Sequence, residues 1–170
     1  ATRPIPSILR GFSAPVILDH AIDNDRRAFL LAHDSDPFNR WEAGRMLART
    51  SLLNSITQGA APDPAYLDGL KAVLRDDTLD PAFRALMLGQ PTQSELAGLL
   101  HDAGTTPDPE KIHTVSEALR DAKATALADL LPGLYEANQV PGPFSPEAEP
   151  AGKRSLANAA LSLLSRSDSG

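Results

Sequence analysis

The pair Asp-Pro constrains this chain more than any other feature. It occurs at Asp36-Pro37, Asp63-Pro64, Asp80-Pro81 and Asp108-Pro109. An Asp carboxylate accepts from the free backbone N–H groups at a helix start. The Pro that follows has φ already set for a helix and no N–H to leave unsatisfied. Each pair therefore predicts a helix start. Thr92-Gln93-Ser94-Glu95 has the form of a capping box and predicts another, and Asp23 predicts a weaker one before the stretch Arg26 to His33. From Asp36 to Asp80 is 44 residues, and from Asp63 to Asp108 is 45. Armadillo and HEAT solenoids repeat every ~40–47 residues, with two or three helices per repeat. Two starts fall inside each interval, as a helix-pair repeat requires. A plain helical bundle is the other architecture these starts allow.

Composition agrees with helices. Ala and Leu number 26 and 25, against 10 for Val and Ile together, which excludes a mostly-β chain. Hydrophobic residues make up 42% with a net charge of −6, too apolar for disorder. At 170 residues the chain fits one domain or a large piece of a bigger one. The stripe Ile112, Val115, Leu119, Ala122, Ala126, Leu130 and Leu134 steps by three or four and predicts one long helix from about Pro109 to Ala137. After Asp36, two apolar stripes include Trp41, Ala43, Leu47, Ala48, Leu52, Leu53 and Ile56, so that helix is sandwiched between neighbours, with Trp41 in the core. A loop is expected from Gln139 to Gly152, then a short helix from Lys153 to Ser165 and a frayed tail.

Residues 1–22 differ. They hold Ile5, Ile8, Val16, Ile17 and Ile22, half of all the Val and Ile, with Pro4, Pro6 and Pro15. They read as an extended segment, with one or two short strands between Arg3 and Leu18. A lone strand makes no sheet. The chain also starts at Ala1 without an initiator Met. The expected fold is therefore all-α: an armadillo/HEAT-like right-handed α-superhelix of antiparallel helix pairs over residues 23–170, with a short extended N-terminal segment over residues 1–22.

No chemistry is self-contained here. There is no Cys, hence no thiol nucleophile and no Cys-bound metal; this is compatible with a reducing, cytoplasmic setting. His20, His33, His101 and His113 show no i, i+4 pair, so no H-E-x-x-H helix exists. His33, Asp34 and Asp36 lie close in sequence but read as a helix end followed by a capped start. Gly11-Phe12-Ser13-Ala14 is not a nucleophile elbow. Glu42 and Glu117 stand without a second acid at catalytic spacing, and Glu42 is placed to pair with Arg45 one turn on. Arg40 is placed to meet an acid on a neighbouring repeat. With 16 basic against 22 acidic residues, a phosphate-tracking face is excluded. No catalytic or metal residue is assigned, and no substrate-binding residue can be named.

Pro6-Ser7-Ile8-Leu9-Arg10-Gly11-Phe12-Ser13-Ala14-Pro15-Val16 resembles the segment that closes the β-sandwich domain of the aminopeptidase N family of zinc metallopeptidases, in its bacterial alanyl aminopeptidase branch. His33-Asp34-Ser35-Asp36-Pro37-Phe38-Asn39-Arg40-Trp41-Glu42-Ala43 is similar to the first long helix start of that family's C-terminal helical domain. Leu88 to Leu96 and Lys153 to Leu161 also match its pattern, so the resemblance runs along essentially the whole chain. It implies a parent with a β-domain, a thermolysin-like catalytic domain, a small β-sandwich and an armadillo-like superhelix. It implies zinc in the parent, held by two His of H-E-x-x-H and a later Glu, and a G-A-M-E-N-type loop for the substrate's α-amine. None of these motifs is in this sequence, so no such role carries over to any residue. What is expected is a fragment, cut at both ends: a non-catalytic helical segment of a peptide-trimming aminopeptidase. Its partners would be the parent's catalytic and β-sandwich domains, over which it would pack to restrict access to the active site. Neither nucleic acid nor membrane is expected as a partner. The last helix would expose a face near Leu156, Leu163 and Leu164, and self-association is expected through it or through the open edge of the N-terminal strand. The rival expectation is a stand-alone helical-repeat scaffold that binds a partner peptide.

Overall fold

The computed structural model describes residues 4–13 and 22–167. Among them, eight α-helices follow a short 3-10 turn at Arg10–Phe12: α1 (Asn24–His33), α2 (Pro37–Gln58), α3 (Pro64–Arg75), α4 (Pro81–Met87), α5 (Gln93–Asp102), α6 (Pro109–Ala126), α7 (Leu131–Ala137) and α8 (Ala148–Ser167). No described residue is in a strand, and the architecture is all-α as expected.

Every expected start carries its cap. Asp23 accepts from the Arg26 N–H, Asp36 from Asn39, Asp63 from Ala65, Asp80 from Ala82 and Phe83, and Asp108 from Glu110 and Lys111. Thr92 accepts from the Glu95 N–H, while the Glu95 carboxylate turns to Arg45 on α2. Helix ends are held as well. Arg40, buried on α2, donates from Nε to the Leu31 carbonyl and from Nη2 to the Ala32 carbonyl at the end of α1. Its Nη1 lies 3.3 Å from Asp76, the residue after α3; this acid falls within the same Asp36–Asp80 interval as Arg40, not on a neighbouring repeat as expected. Arg84, buried on α4, donates to the Leu74 carbonyl at the end of α3. A cation there meets the negative end of the helix dipole and fills orphan acceptors.

Two apolar clusters form the interior. The first joins α1, α2 and α3 to α5 and the N-terminal part of α6 through Leu31, Leu47, Leu70, Leu96 and Ile112. The second joins the ends of α3 and α4 to α7 and α8 through Leu74, Leu88, Leu131 and Leu156. Each fully buried Leu contributes roughly 1.5–3 kcal/mol of burial energy. At the crossing of α1 with α2 and α3, Leu31 fills a notch between Gly44 and Gly69. A Cβ on Gly69 would stand 2.5 Å from Leu31 Cδ2, and one on Gly44 3.1 Å from Leu31 Cδ1. Only glycine lets the helices approach this closely.

The structure departs from the sequence reading in four places. First, residues 4–8 have no regular structure and lead through Leu9, at φ 54°, into the 3-10 turn, so the strand expectation fails over 4–13; its remainder, including Val16 and Ile17, lies outside the described residues. Second, the long helix breaks. α6 ends at Ala126 and α7 begins at Leu131, because Pro132 has no N–H to continue the ladder. Asp129 in the break pairs with Lys71 at 2.9 Å and Arg75 at 3.1 Å, which ties the turn to α3. Third, α8 starts at Ala148, ahead of Lys153, since Pro150 is tolerated in a first turn. Fourth, α8 turns its apolar face inward onto α4, α6 and α7. Leu156 and Leu163 are buried and Leu164 is half-buried, so the expected sticky face does not exist; Leu161 is the large apolar residue left exposed there.

Candidate functional site

The residues singled out for chemistry stay apart. His33 ends α1 with its ring against Phe29, at 4.9 Å between centroids. His101 is exposed on the last turn of α5, and His113 on α6 meets the Gln93 amide at 3.1 Å. His20 lies outside the described residues. Among the described residues, no three His, Asp or Glu side chains gather to hold a metal ion. Glu117 pairs with Arg120 and Arg166, and Arg45 pairs with Glu95 at 2.7 Å rather than with Glu42, because the α5 partner lies across the groove described below. Zinc, which the resemblance implies for the parent, does not fit the residues described here.

Two constructions remain. One is a polar clamp between the N-terminal segment and the α1–α2 corner. Arg10 donates to Asp34 Oδ1 at 3.1 Å and to Ser35 Oγ at 2.8 Å. The Gly11 N–H donates to Asp36 Oδ2 at 2.8 Å, and Asn39 donates to Ser7 Oγ at 2.9 Å. Asp36 thus caps α2 with one oxygen and anchors the segment with the other. Backbone N–H donors, Asn39 foremost, hold its pKa below the usual carboxylate value. His33, Asp34 and Asp36 are therefore the helix end and capped start the sequence suggested.

The other is a groove of about 200 Å3 between α2, α3, α4 and the start of α5. Trp41 and Arg45 form one wall, Tyr66 and Met87 line it below, and Gln90 and Glu95 close it from the α4–α5 link and α5. Trp41 is half-buried there, packed against the edge of the first apolar cluster and open to the groove, with the Arg45 guanidinium 5.4 Å from its ring centre. Burial pushes the Tyr66 hydroxyl above the usual phenol range, so it stays protonated. The groove offers apolar and aromatic walls with one ion pair at the rim. It contains neither a nucleophile nor a matched acid and base.

Beneath it lies a residue that the sequence reading missed. Lys123 on α6 is 1% exposed. Its ammonium donates to the Leu88 and Gly89 carbonyls, both at 3.0 Å, and to Gln90 Oε1 at 3.4 Å, with the Tyr66 ring 5.6 Å away. The signal was available: Ile112, Ser116, Leu119 and Lys123 share one face at helical spacing, and all four are buried.

The family described as "Domain of unknown function (DUF3458_C) ARM repeats" matches residues 24–170. Aminopeptidase N of Caulobacter vibrioides is 42% identical over 166 residues, covering 95% of this chain and 18% of that protein. Aminopeptidase N of Escherichia coli is 35% identical over 167 residues, covering 95% of this chain and 19% of that protein. Among solved structures, the crystal structure of Legionella pneumophila aminopeptidase A in complex with aspartic acid superposes with a TM-score of 0.78 at 28% identity, covering 98% of this chain and 20% of that one. The chain spans about a fifth of the length of the relatives it matches.

Proposed function

The chain belongs to the ARM-repeat domain family shared with aminopeptidase N, and from that premise we propose that it is a non-catalytic helical segment of a zinc-dependent aminopeptidase that releases N-terminal amino acids from peptides. One observation carries the reading. Nearly the whole chain aligns with a single fifth of a much longer aminopeptidase, and that fifth is helical repeat. In this reading the catalytic and metal-binding residues, and the zinc, belong to the rest of the parent. Residues 1–22 are the end of a preceding β-sandwich domain, and residues 23–170 are part of the repeat domain. The helices pack over the catalytic domain and limit which substrates reach it, in a cytoplasmic enzyme. No helix among the described residues is long and apolar enough to cross a membrane.

The polar clamp supports this reading. It joins the segment before α1 to the first corner of the repeat body through six side chains, so that residues 7–11 are held against that corner. The test has two arms. The chain alone, incubated with zinc and an alanyl chromogenic substrate, should show no turnover. The polypeptide from the full reading frame should hydrolyse it, and that frame should encode H-E-x-x-H and a later Glu upstream. Turnover by the chain alone, or a reading frame without that motif, would overturn the proposal.

A further inference from the structure

Lys123 holds together the link that forms one wall of the groove. Its three acceptors belong to three consecutive residues, Leu88, Gly89 and Gln90, where α4 ends. An ammonium has three N–H donors, so the protonated side chain satisfies all three acceptors at once. A neutral amine has two and must abandon one. The Gln90 contact is the longest of the three, and Gln90 is also held from the other side, donating from Nε2 to the Ser116 carbonyl at 3.1 Å. Gly89 and Gln90 line the groove together with Trp41.

We propose that Lys123 is a proton-operated latch: charged, it draws the 88–90 link inward and sets the groove wall; neutral, it releases Gln90, which then shifts against the groove.

The surroundings allow the proton to leave. Burial first, and the Arg120 charge second, pull the Lys123 pKa down to about 7. The groups facing it are few. Tyr66 comes from α3 and stays neutral. Arg120 lies on α6 itself. The end of α4 presents carbonyls, whose dipole favours the charged amine. From α8, Arg166 is engaged by Glu117 and Asp121. From α2 and α5, Arg45 and Glu95 engage each other, and Gln93 engages His113. No carboxylate forms an ion pair with Lys123 among the described residues.

Trp41 is the sole Trp and lines the groove, so its fluorescence reads the wall directly. The wild-type chain should show an emission change between pH 6 and 9 with a midpoint within about one unit of 7. Lys123→Arg, which keeps its charge and donors, and Lys123→Met should both lack it. Imidazoles titrate in the same range, so His113→Gln is the control and should keep the change. A flat wild-type curve, a transition that survives in Lys123→Met, or one lost in His113→Gln would overturn the latch. If Lys123→Met does not fold, the lysine ε-carbon resonances of the wild type decide. The Lys123 resonance should titrate near neutrality with the same midpoint as the Trp41 emission; titration only above pH 9.5 would overturn the proposal.

Discussion

Arg40 and Arg84 stand 44 residues apart, each four positions past an Asp-Pro cap, and each turns its guanidinium back onto the last carbonyls of the helix before it. The Asp and the Arg act as a unit. One closes the N-terminus of its own helix, and the other closes the C-terminus of its predecessor. The repeat in the caps is therefore matched by a repeat in buried cations. Arg40→Ala should orphan one buried and one part-buried carbonyl and cost about 2–4 kcal/mol. Arg40→Lys should recover little of this, because one ammonium cannot reproduce the fork. Urea unfolding of both variants checks this; a loss below about 0.5 kcal/mol would contradict it.

The notch at Leu31 makes a sharper prediction. Gly69→Ala would raise helix propensity by about 1 kcal/mol, yet the added Cβ meets both Cδ2 and Cγ of Leu31. Crowding should win, with a net loss of about 1–3 kcal/mol. Gly44→Ala should cost less, since it meets only the mobile ends of Met87 and Leu31. Leu31→Ala alone should cost about 2–5 kcal/mol. The double variant Leu31→Ala with Gly69→Ala should lose less than the sum, because each change makes room for the other.

Acid sensitivity should come from the caps and turns. Asp36, Asp76 and Asp129 all have pKa values below the usual carboxylate value of 3.8, held there first by Asn39, Thr78 and Lys71 respectively. Carboxylates with depressed folded pKa values stabilise the fold above their unfolded pKa. That contribution falls away as pH drops through the folded values. The melting temperature should be level between about pH 5 and 7 and decline below about pH 4. Asp36→Asn should flatten part of the decline; an unchanged slope would exclude Asp36 as a contributor.

Lys123 acts in the opposite window. Its folded pKa of about 7 lies below the unfolded lysine value of 10.5, so between those values the unfolded chain binds the extra proton. Stability should rise as pH goes from 7 towards 10. Lys123→Met should remove the rise, measured as the urea midpoint at pH 7 and at pH 9.5.

The clamp should matter beyond its own loop. Arg10 is half-exposed but its partner Asp34 is buried, so Arg10→Ala leaves that carboxylate without its cation and should cost about 1–3 kcal/mol in urea unfolding. It should also free the Gly11 N–H, raising amide exchange there and protease cutting near Leu9. Unchanged exchange at Gly11 would mean that Asp36 holds the segment unaided.

Much of this fold is legible in the linear chain because its decisive contacts are local. Asp36, Asp63, Asp80 and Asp108 each act on backbone two or three residues away, so spacing alone located those helices and the ~44-residue period. Pro132 was equally local, but an unbroken apolar stripe from Ile112 to Leu134 hid the break. What the sequence did not disclose is which polar residues go inside. Arg84 and Lys123 look like solvated charges in a list, and Leu156 and Leu163 look like an open face. Their fates depend on helix ends 10 and 34–35 residues away, and on α8 folding back over α4. A buried cation is tolerable where another element supplies acceptors for it, and tertiary packing alone brings those acceptors into reach: three for Lys123, and for Arg84 the Leu74 carbonyl, which receives Nη2 while the buried Nε has no partner.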